Sequence, residues 1–252
     1  MGQHGKHRAL VSGMRGWLGA AVLSLAASAA PASAAECRLA LLLAIDVSSS
    51  VDPREDALQR QGLAAALRAP EVQAAFFAVD LPVALAAYEW SGRYNQKVLL
   101  DWIVVDSGDA LQRASDRIAA SRRSEDEYPT AMGYALGYGA IMLDRGPDCL
   151  ARTIDMAGDG RNNEGFPPAS AYAEFPFDGV TVNGLVIDAA EFETQTRLIP
   201  FYRNEVIRGP GAFLVVADGF EDYERAMRRK LERELRPPSV GQLGKTDARA
   251  PG

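Results

Sequence analysis

Histidine is nearly missing from this 252-residue chain, and its only two copies, His4 and His7, stand at the very start. The remainder of the chain has no imidazole. It therefore cannot build a Ser-His-Asp triad, a cysteine-histidine pair or a histidine-ligated zinc site. This one shortage excludes most of the familiar hydrolase mechanisms.

Basic residues are also fewer than acidic ones. Lysine and arginine together number 27 against 33 aspartates and glutamates, which gives a formal net charge of −6. An acidic surface repels phosphate backbones and anionic lipid headgroups. The composition therefore argues against nucleic acid and anionic membranes as partners.

Long apolar runs are confined to the first 35 residues. Residues 1–35 carry three basic residues, then an apolar run from Trp17 to Ala30, then Ala32-Ser33-Ala34, which is the layout of a cleaved secretory signal. The run is shorter than the roughly 20 residues that span a bilayer, so we favour a signal peptide over a membrane anchor. A lipoprotein is disfavoured because Ala-Ala-Glu precedes Cys37. We expect a periplasmic or secreted protein with no transmembrane segment after cleavage and a charge of −9.

The residues after the signal have the size of one domain, which we place at residues 36–236, with a disordered tail at 237–252. The apolar run Leu39–Ile45 is typical of a strand buried on both faces of a parallel sheet. Asp52-Pro53 with Glu55 has the pattern of a helix start with a capping box. Strand and helix patterns then alternate along the chain.

One pair of strands breaks the alternation. Val83–Trp90 and Gln96–Val105 are separated only by a short turn-rich segment, which predicts a hairpin. We therefore predict an α/β fold: a doubly wound, mostly parallel six-stranded sheet with helices on both faces and one antiparallel edge strand.

Oxygen-bearing side chains cluster where predicted strands end, which is the edge at which open parallel sheets bind ligands. Asp46, Ser48 and Ser50 follow the first strand at alternate positions, Asp159 follows the fourth strand between two glycines, and Thr130 stands at the predicted start of a helix. Two carboxylates and three hydroxyls are hard ligands suited to Mg²⁺, Mn²⁺ or Ca²⁺. The alternative is that Asp46 and the serines only cap the first helix.

The pattern Asp-x-Ser-x-Ser, a distant threonine and a later Asp-Gly resembles the metal-ion-dependent adhesion site (MIDAS) of von Willebrand factor type A (VWA) domains. Within that family the chain is similar to exported bacterial proteins of undefined function, through Glu89-Trp90-Ser91-Gly92, Gly158-Asp159-Gly160 and Gly209-Pro210-Gly211. The resemblance implies that Ser48, Ser50 and Thr130 ligate the ion, and that Asp46 and Asp159 contact it directly or through water. The sequence departs from that of the adhesive members of the family at Pro129, which precedes Thr130.

Four residues beside this site are candidates for contact with a partner. Glu89 and Trp90 end the second strand on the same edge, and Asn162 and Asn163 follow the second acidic turn. A tryptophan at a strand end is also commonly part of a core, and for Trp90 both interpretations remain open.

Three further residues have structural interpretations. Cys37 and Cys149 precede the first and fourth strands, which are neighbours in this topology, so they can form a disulfide in an oxidising compartment; two separate buried thiols are the alternative. Asp155 lies inside the fourth strand, where a carboxylate is costly unless it is paired. We expect a buried hydrogen bond there.

Three functions follow in order of preference. The first is a non-enzymatic binding module, in which a divalent ion accepts a carboxylate from a protein or other ligand as its last coordinating group. The second is a metal-assisted hydrolase in which Ser48 or Asp46 takes part at the same ion. The third is a metal-free scaffold.

Overall fold

The computed structural model describes residues 35–189 and 194–236. Residues 1–34 of the predicted signal peptide, and the predicted tail at 237–252, lie outside this range. Within the described residues, no helix combines the length and the apolar character needed to cross a membrane.

Across the described residues, a single six-stranded sheet organises the fold. Its spatial order is β3-β2-β1-β4-β5-β6, with the β2–β3 pair antiparallel and every other pair parallel. The predicted fold class, with one antiparallel edge strand, is therefore confirmed. The strands are β1 (Leu39–Asp46), β2 (Val83–Trp90), β3 (Gln96–Val105), β4 (Arg152–Gly158), β5 (Val180–Ile187) and β6 (Leu214–Ala217).

Seven α-helices surround the sheet in the described part of the chain. The predicted capping box is present in α1, because the Asp52 side chain accepts from the Glu55 amide and the Glu55 side chain accepts from the Asp52 amide. The short α6 is flanked by π-helical turns at Thr194–Leu198 and Tyr202–Val206. The helices are α1 (Pro53–Arg68), α2 (Pro70–Phe76), α3 (Gly108–Ala119), α4 (Met132–Asp144), α5 (Pro168–Glu174), α6 (Ile199–Phe201) and α7 (Tyr223–Glu234).

The sheet separates two apolar cores. Side chains of α1, α2, α3 and α7 pack on one face, and those of α4, α5 and the segment around α6 pack on the other. Because β1 and β4 are parallel neighbours, with Ile45 opposite Ala157, their carboxyl ends lie side by side. The residues that follow both strands are therefore brought to one edge of the sheet, as the sequence predicts.

The opposite edge carries the predicted disulfide. Cys37 and Cys149 are bonded across the entrance to β1 and β4, with their Cα atoms 4.5 Å apart and a sequence separation of 112. Cross-linking so long a loop restricts the unfolded chain more than the folded one.

Replacing both cysteines by serine is expected to lower the free energy of unfolding by about 3 kcal/mol, since the unfolded chain regains the entropy of the opened loop. Denaturant unfolding under oxidising conditions measures this. Wild-type protein kept reduced should match the double variant. Equal stability of oxidised wild type and double variant would contradict the prediction.

Candidate metal site

The loop after β1 forms the floor of the site. Asp46 is fully buried, and its Oδ1 accepts from the Ser48 amide at 2.8 Å, which turns the chain sharply after the strand. The hydroxyl oxygens of Ser48 and Ser50 then lie 3.3 Å apart. Because the side chains of successive residues point in alternate directions along the loop, both hydroxyls lie on the same side.

Two distant segments complete the group. The Thr130 hydroxyl donates to Ser48 Oγ at 3.2 Å, and the Ser50 hydroxyl donates to Asp159 Oδ1 at 2.8 Å. One continuous set of oxygen atoms therefore comes from the ends of β1 and β4 and from the segment that leads into α4. The structure brings all five predicted side chains together.

Two glycines give this cluster its room. A Cβ at residue 158 would lie 2.8 Å from Asp46 Oδ2, and one at residue 160 would lie 3.1 Å from Thr130 Oγ1. Real side chains do not tolerate the first distance, so Gly158 is required for Asp46 to keep its position beside β4.

The electrostatics favour a bound cation. Burial, followed by repulsion from Asp159, raises the pKa of Asp46 to about 8, and burial also raises the pKa of Asp159. The Oδ2 atom of Asp46 and the nearby Tyr202 hydroxyl are buried with no hydrogen-bond partner among the described residues. A divalent ion would compensate for the cost of ionising Asp46, so the residues fit the ion.

Hydroxyl oxygens are essential to such a site. Among the described residues, no three or more histidine, cysteine, aspartate or glutamate side chains are arranged to hold a metal ion. A cation bound here would have two carboxylates, from Asp46 and Asp159, and three neutral hydroxyls. This oxygen-only set suits Mg²⁺, Mn²⁺ or Ca²⁺.

An arginine that the sequence interpretation missed fixes the loop. The Arg123 guanidinium donates to the carbonyl oxygens of Val47 and Ser48, each at 2.8 Å, and of Val51 at 2.7 Å. Gln59 of α1 donates to the Asp46 carbonyl at 3.1 Å. These bonds hold the loop in one shape, and no sequence motif signals them.

Asn162 and Asn163 support the threonine segment. The Asn163 side chain accepts from the Thr130 amide at 2.9 Å, and that of Asn162 accepts from the Gly133 amide at 3.2 Å. Helix α4 begins at Met132, two residues later than predicted, so Thr130 precedes the helix. The two asparagines position the threonine, and their contact with a partner stays a prediction.

The sequence makes Glu89 and Trp90 candidates for contact with a partner, but the structure contradicts this. Neither side chain has any exposed surface. Glu89 pairs with Arg60 of α1 at 2.5 Å and accepts from the Ser124 amide at 2.8 Å. Trp90 lies in the core on the α4 side of the sheet. Strand alternation alone could not reveal that neighbouring elements cover both faces.

A family model described as "Protein of unknown function (DUF1194)" matches residues 36–239, which is most of the chain. The chain belongs to the DUF1194 family. No curated protein matches this DUF1194 chain in sequence.

Solved structures identify the fold of this DUF1194 chain as that of the VWA domain. A von Willebrand factor type A protein from Catenulispora acidiphila matches with a TM-score of 0.56 and 14% identity over 79% of this chain and 43% of its own. Proximal thread matrix protein 1 from the mussel byssus, with a zinc-occupied MIDAS motif, matches with a TM-score of 0.55 and 16% identity over 80% and 49%.

An adhesin shares the fold as well. The pilus adhesin SpaC from Lactobacillus rhamnosus GG has a TM-score of 0.55 and 12% identity over 79% of this chain and 31% of its own. The DUF1194 chain therefore spans half or less of the length of each of these three proteins. At these identities the likeness establishes the fold alone.

Metal affinity is expected to depend on pH. Because the pKa of Asp46 is raised to about 8, a proton competes with the ion below that pH. Affinity for Mg²⁺ should therefore fall by about tenfold per unit as the pH drops from 8 to 6. Calorimetric titration at three pH values measures the slope, and an affinity independent of pH would contradict the account.

Stability without metal should change in the opposite direction. A carboxyl whose pKa is higher in the folded than in the unfolded state binds more protons when folded, so stability falls as pH rises between the two values. Metal-free protein should thus lose stability from about pH 4 to about pH 8 through Asp46. Added Mg²⁺ should raise the melting temperature more at pH 8 than at pH 6.

Proposed function

We propose that this protein is a binding module that holds a divalent cation and, through it, a carboxylate of a partner. Asp46, Ser48, Ser50, Thr130 and Asp159 would be the ligands of the ion. The observation that carries the proposal is the hydrogen-bonded set of oxygens from three chain segments around a buried carboxylate whose Oδ2 is unpartnered among the described residues. The VWA fold supports a metal-dependent interaction module.

Mg²⁺ is the ion we expect, with Mn²⁺ or Ca²⁺ as substitutes. Hydroxyl and carboxylate oxygens are hard ligands, whereas zinc prefers nitrogen and sulfur. The mussel protein has zinc in its MIDAS motif, so such a motif admits that ion there. For this chain the ligand chemistry favours the harder cations.

The ion would act as the acceptor of an external carboxylate. Three of the five ligands would be neutral hydroxyls, which donate less negative charge than carboxylates, so a bound divalent cation would remain electrophilic. A negatively charged oxygen is the strongest monodentate ligand that a partner can offer to such an ion. Ser50 is exposed, which leaves one side of the cluster accessible to that ligand.

The partner would be a protein, or another ligand bearing a carboxylate, met in the periplasm or outside the cell. The signal-like residues 1–35 and the Cys37–Cys149 disulfide support export. The adhesin among the structural neighbours supports binding to proteins. The acidic composition argues against nucleic acid.

Water-proton relaxation with Mn²⁺ tests the open coordination position. Mn²⁺ bound to the protein should enhance relaxation through an exchanging water, and an excess of N-acetyl-aspartate amide should reduce the enhancement by displacing that water. The matched asparagine compound, which lacks the charged oxygen, should leave it unchanged. An equal effect of the two compounds would reject carboxylate capture.

A turnover assay distinguishes a metal-assisted hydrolase from the proposed binding module. Asp46 and Asp159 are the only titratable side chains among the five, which makes them the candidate general bases within the site. Generic phosphate and ester substrates should show no turnover above that of Mg²⁺ alone. A rate that disappears in an Asp46→Asn variant would instead favour the enzyme.

A further inference from the structure

A cavity of about 360 Å³ opens beside the candidate metal site. The β2–β3 turn, the loop before Thr130 and the loop after β4 form it. Two contacts connect it to the site, because the Tyr128 carbonyl accepts from the Ser49 amide at 2.8 Å and the Glu164 amide donates to the Thr130 carbonyl at 3.2 Å. The residues that line it are Gly92, Arg93, Tyr94, Asn95, Glu125, Tyr128 and Glu164.

Two tyrosine rings supply the apolar surface of the cavity. Tyr94 is 91% exposed and Tyr128 is 45% exposed, although large aromatic side chains usually bury most of their area. The Tyr94 ring meets Tyr134 edge-on at 6.3 Å, and Tyr134 in turn stacks on Phe166 at 4.1 Å. A tyrosine ring has few rotatable bonds, so it contacts a ligand at a low cost in conformational entropy.

The charge of the cavity is negative. Glu164 is paired with Arg93 at 2.9 Å, which leaves Glu125 as a carboxylate with no ion pair among the described residues. Carboxylate together with exposed aromatic rings is the combination that binds an ammonium or guanidinium group, through an ion pair and cation–π contacts. A second acidic group would be repelled.

We propose that this cavity receives a lysine or arginine side chain of the partner, close in sequence to the acidic residue that reaches the metal ion. The inference rests on the proposed metal-dependent binding and specifies its partner: a segment with adjacent acidic and basic residues. Such a segment also suits the overall charge of the protein, which is −6 and would repel a purely acidic ligand.

A displayed peptide library tests the proposal. Each peptide carries one fixed aspartate with three random positions on either side, and selection is run on the purified protein with Mn²⁺ and with chelator. Lysine and arginine should be enriched about tenfold near the aspartate, as expected for an exposed ion pair with cation–π contact.

Two variants form a matched pair. Glu125→Gln removes the unpaired charge of the cavity, and Glu127→Gln removes another exposed charge, which lies outside the lining of the cavity. The enrichment of lysine and arginine should disappear in Glu125→Gln and persist in Glu127→Gln. Tyr94→Ser should reduce it severalfold through the loss of the ring. The Mn²⁺ affinity of each variant is measured in parallel, so that a change in peptide selection can be distinguished from a change in metal binding.

The outcomes separate the cavity from the metal site. Metal-dependent selection of acidic peptides without basic enrichment, or enrichment that Glu125→Gln leaves intact, overturns the cavity proposal and keeps the proposed function. Basic enrichment that depends on Glu125 but persists with chelator supports the cavity and rejects the metal-dependent function. Selection of no peptide rejects both.

Discussion

Lys230→Met is expected to lower the free energy of unfolding by roughly 3–5 kcal/mol, because it leaves buried carboxylates without their cation. Lys230 of α7 has no exposed surface and lies 2.7 Å from Asp155 of β4 and 2.5 Å from Glu234. Asn183 of β5 also donates to Glu234 at 2.8 Å. Methionine fills much the same volume as lysine, so the loss of stability would result from the missing charge rather than from a cavity.

The effect should depend on pH. Burial and then Glu234 raise the pKa of Asp155 to about 7, even with Lys230 present. Without the lysine, Asp155 can avoid an unpaired charge only by binding a proton, so the loss should be smaller at pH 5.5 than at pH 8. Denaturant unfolding at both values measures it.

Arg229→Met is the matched control for Lys230→Met. Arg229 is the preceding residue on α7, but its side chain is 48% exposed and it contacts Asp222 only at 3.8 Å. Exposed ion pairs contribute little, so the control should change stability by less than about 1 kcal/mol. Equal losses in the two variants would show that the buried ion pair is not what stabilises this helix.

Asp46→Asn is expected to reduce the affinity for Mg²⁺ or Mn²⁺ by at least about 100-fold, since loss of a residue outside the ligand set already costs 10- to 100-fold in metal sites. Asparagine keeps the oxygen that accepts from the Ser48 amide and removes the charge. Calorimetric titration of wild type and variant measures the ratio.

The same variant should fold well. The charge on Asp46 is costly without metal, as its raised pKa indicates, so a neutral side chain should leave the stability of metal-free protein unchanged or increase it. Asp126→Asn, in the exposed loop before Thr130, should keep wild-type metal affinity. Equal metal affinities of wild type and Asp46→Asn would reject the site.

Local patterns predicted much of this fold. The capping box of Asp52 and Glu55, the hairpin of β2 and β3 and the disulfide of Cys37 and Cys149 depend on sequence-near signals or on strand adjacency, and the structure has them all. The predicted site residues also converge, because the direction of parallel strands fixes the edge at which their ends meet.

Contacts between distant segments could not be predicted in the same way. The sequence predicts a partner-facing Glu89, because nothing in its own strand indicates that Arg60, 29 residues earlier, pairs with it. Arg123 sits in a charged loop that resembles any solvated segment, yet its guanidinium turns inward to three backbone carbonyls. Such partners depend on tertiary packing, which one sequence does not encode as a motif.

Anomalous scattering from a crystal soaked in Mn²⁺ locates the ion directly. We expect one strong peak among Ser48 Oγ, Ser50 Oγ and Thr130 Oγ1, at about 2.2 Å from the protein ligands of the ion. Asp46 and Asp159 should lie within reach of the ion, directly or through one water. No peak in that position, with Thr130 and Asp159 turned away from Ser48, would contradict the account.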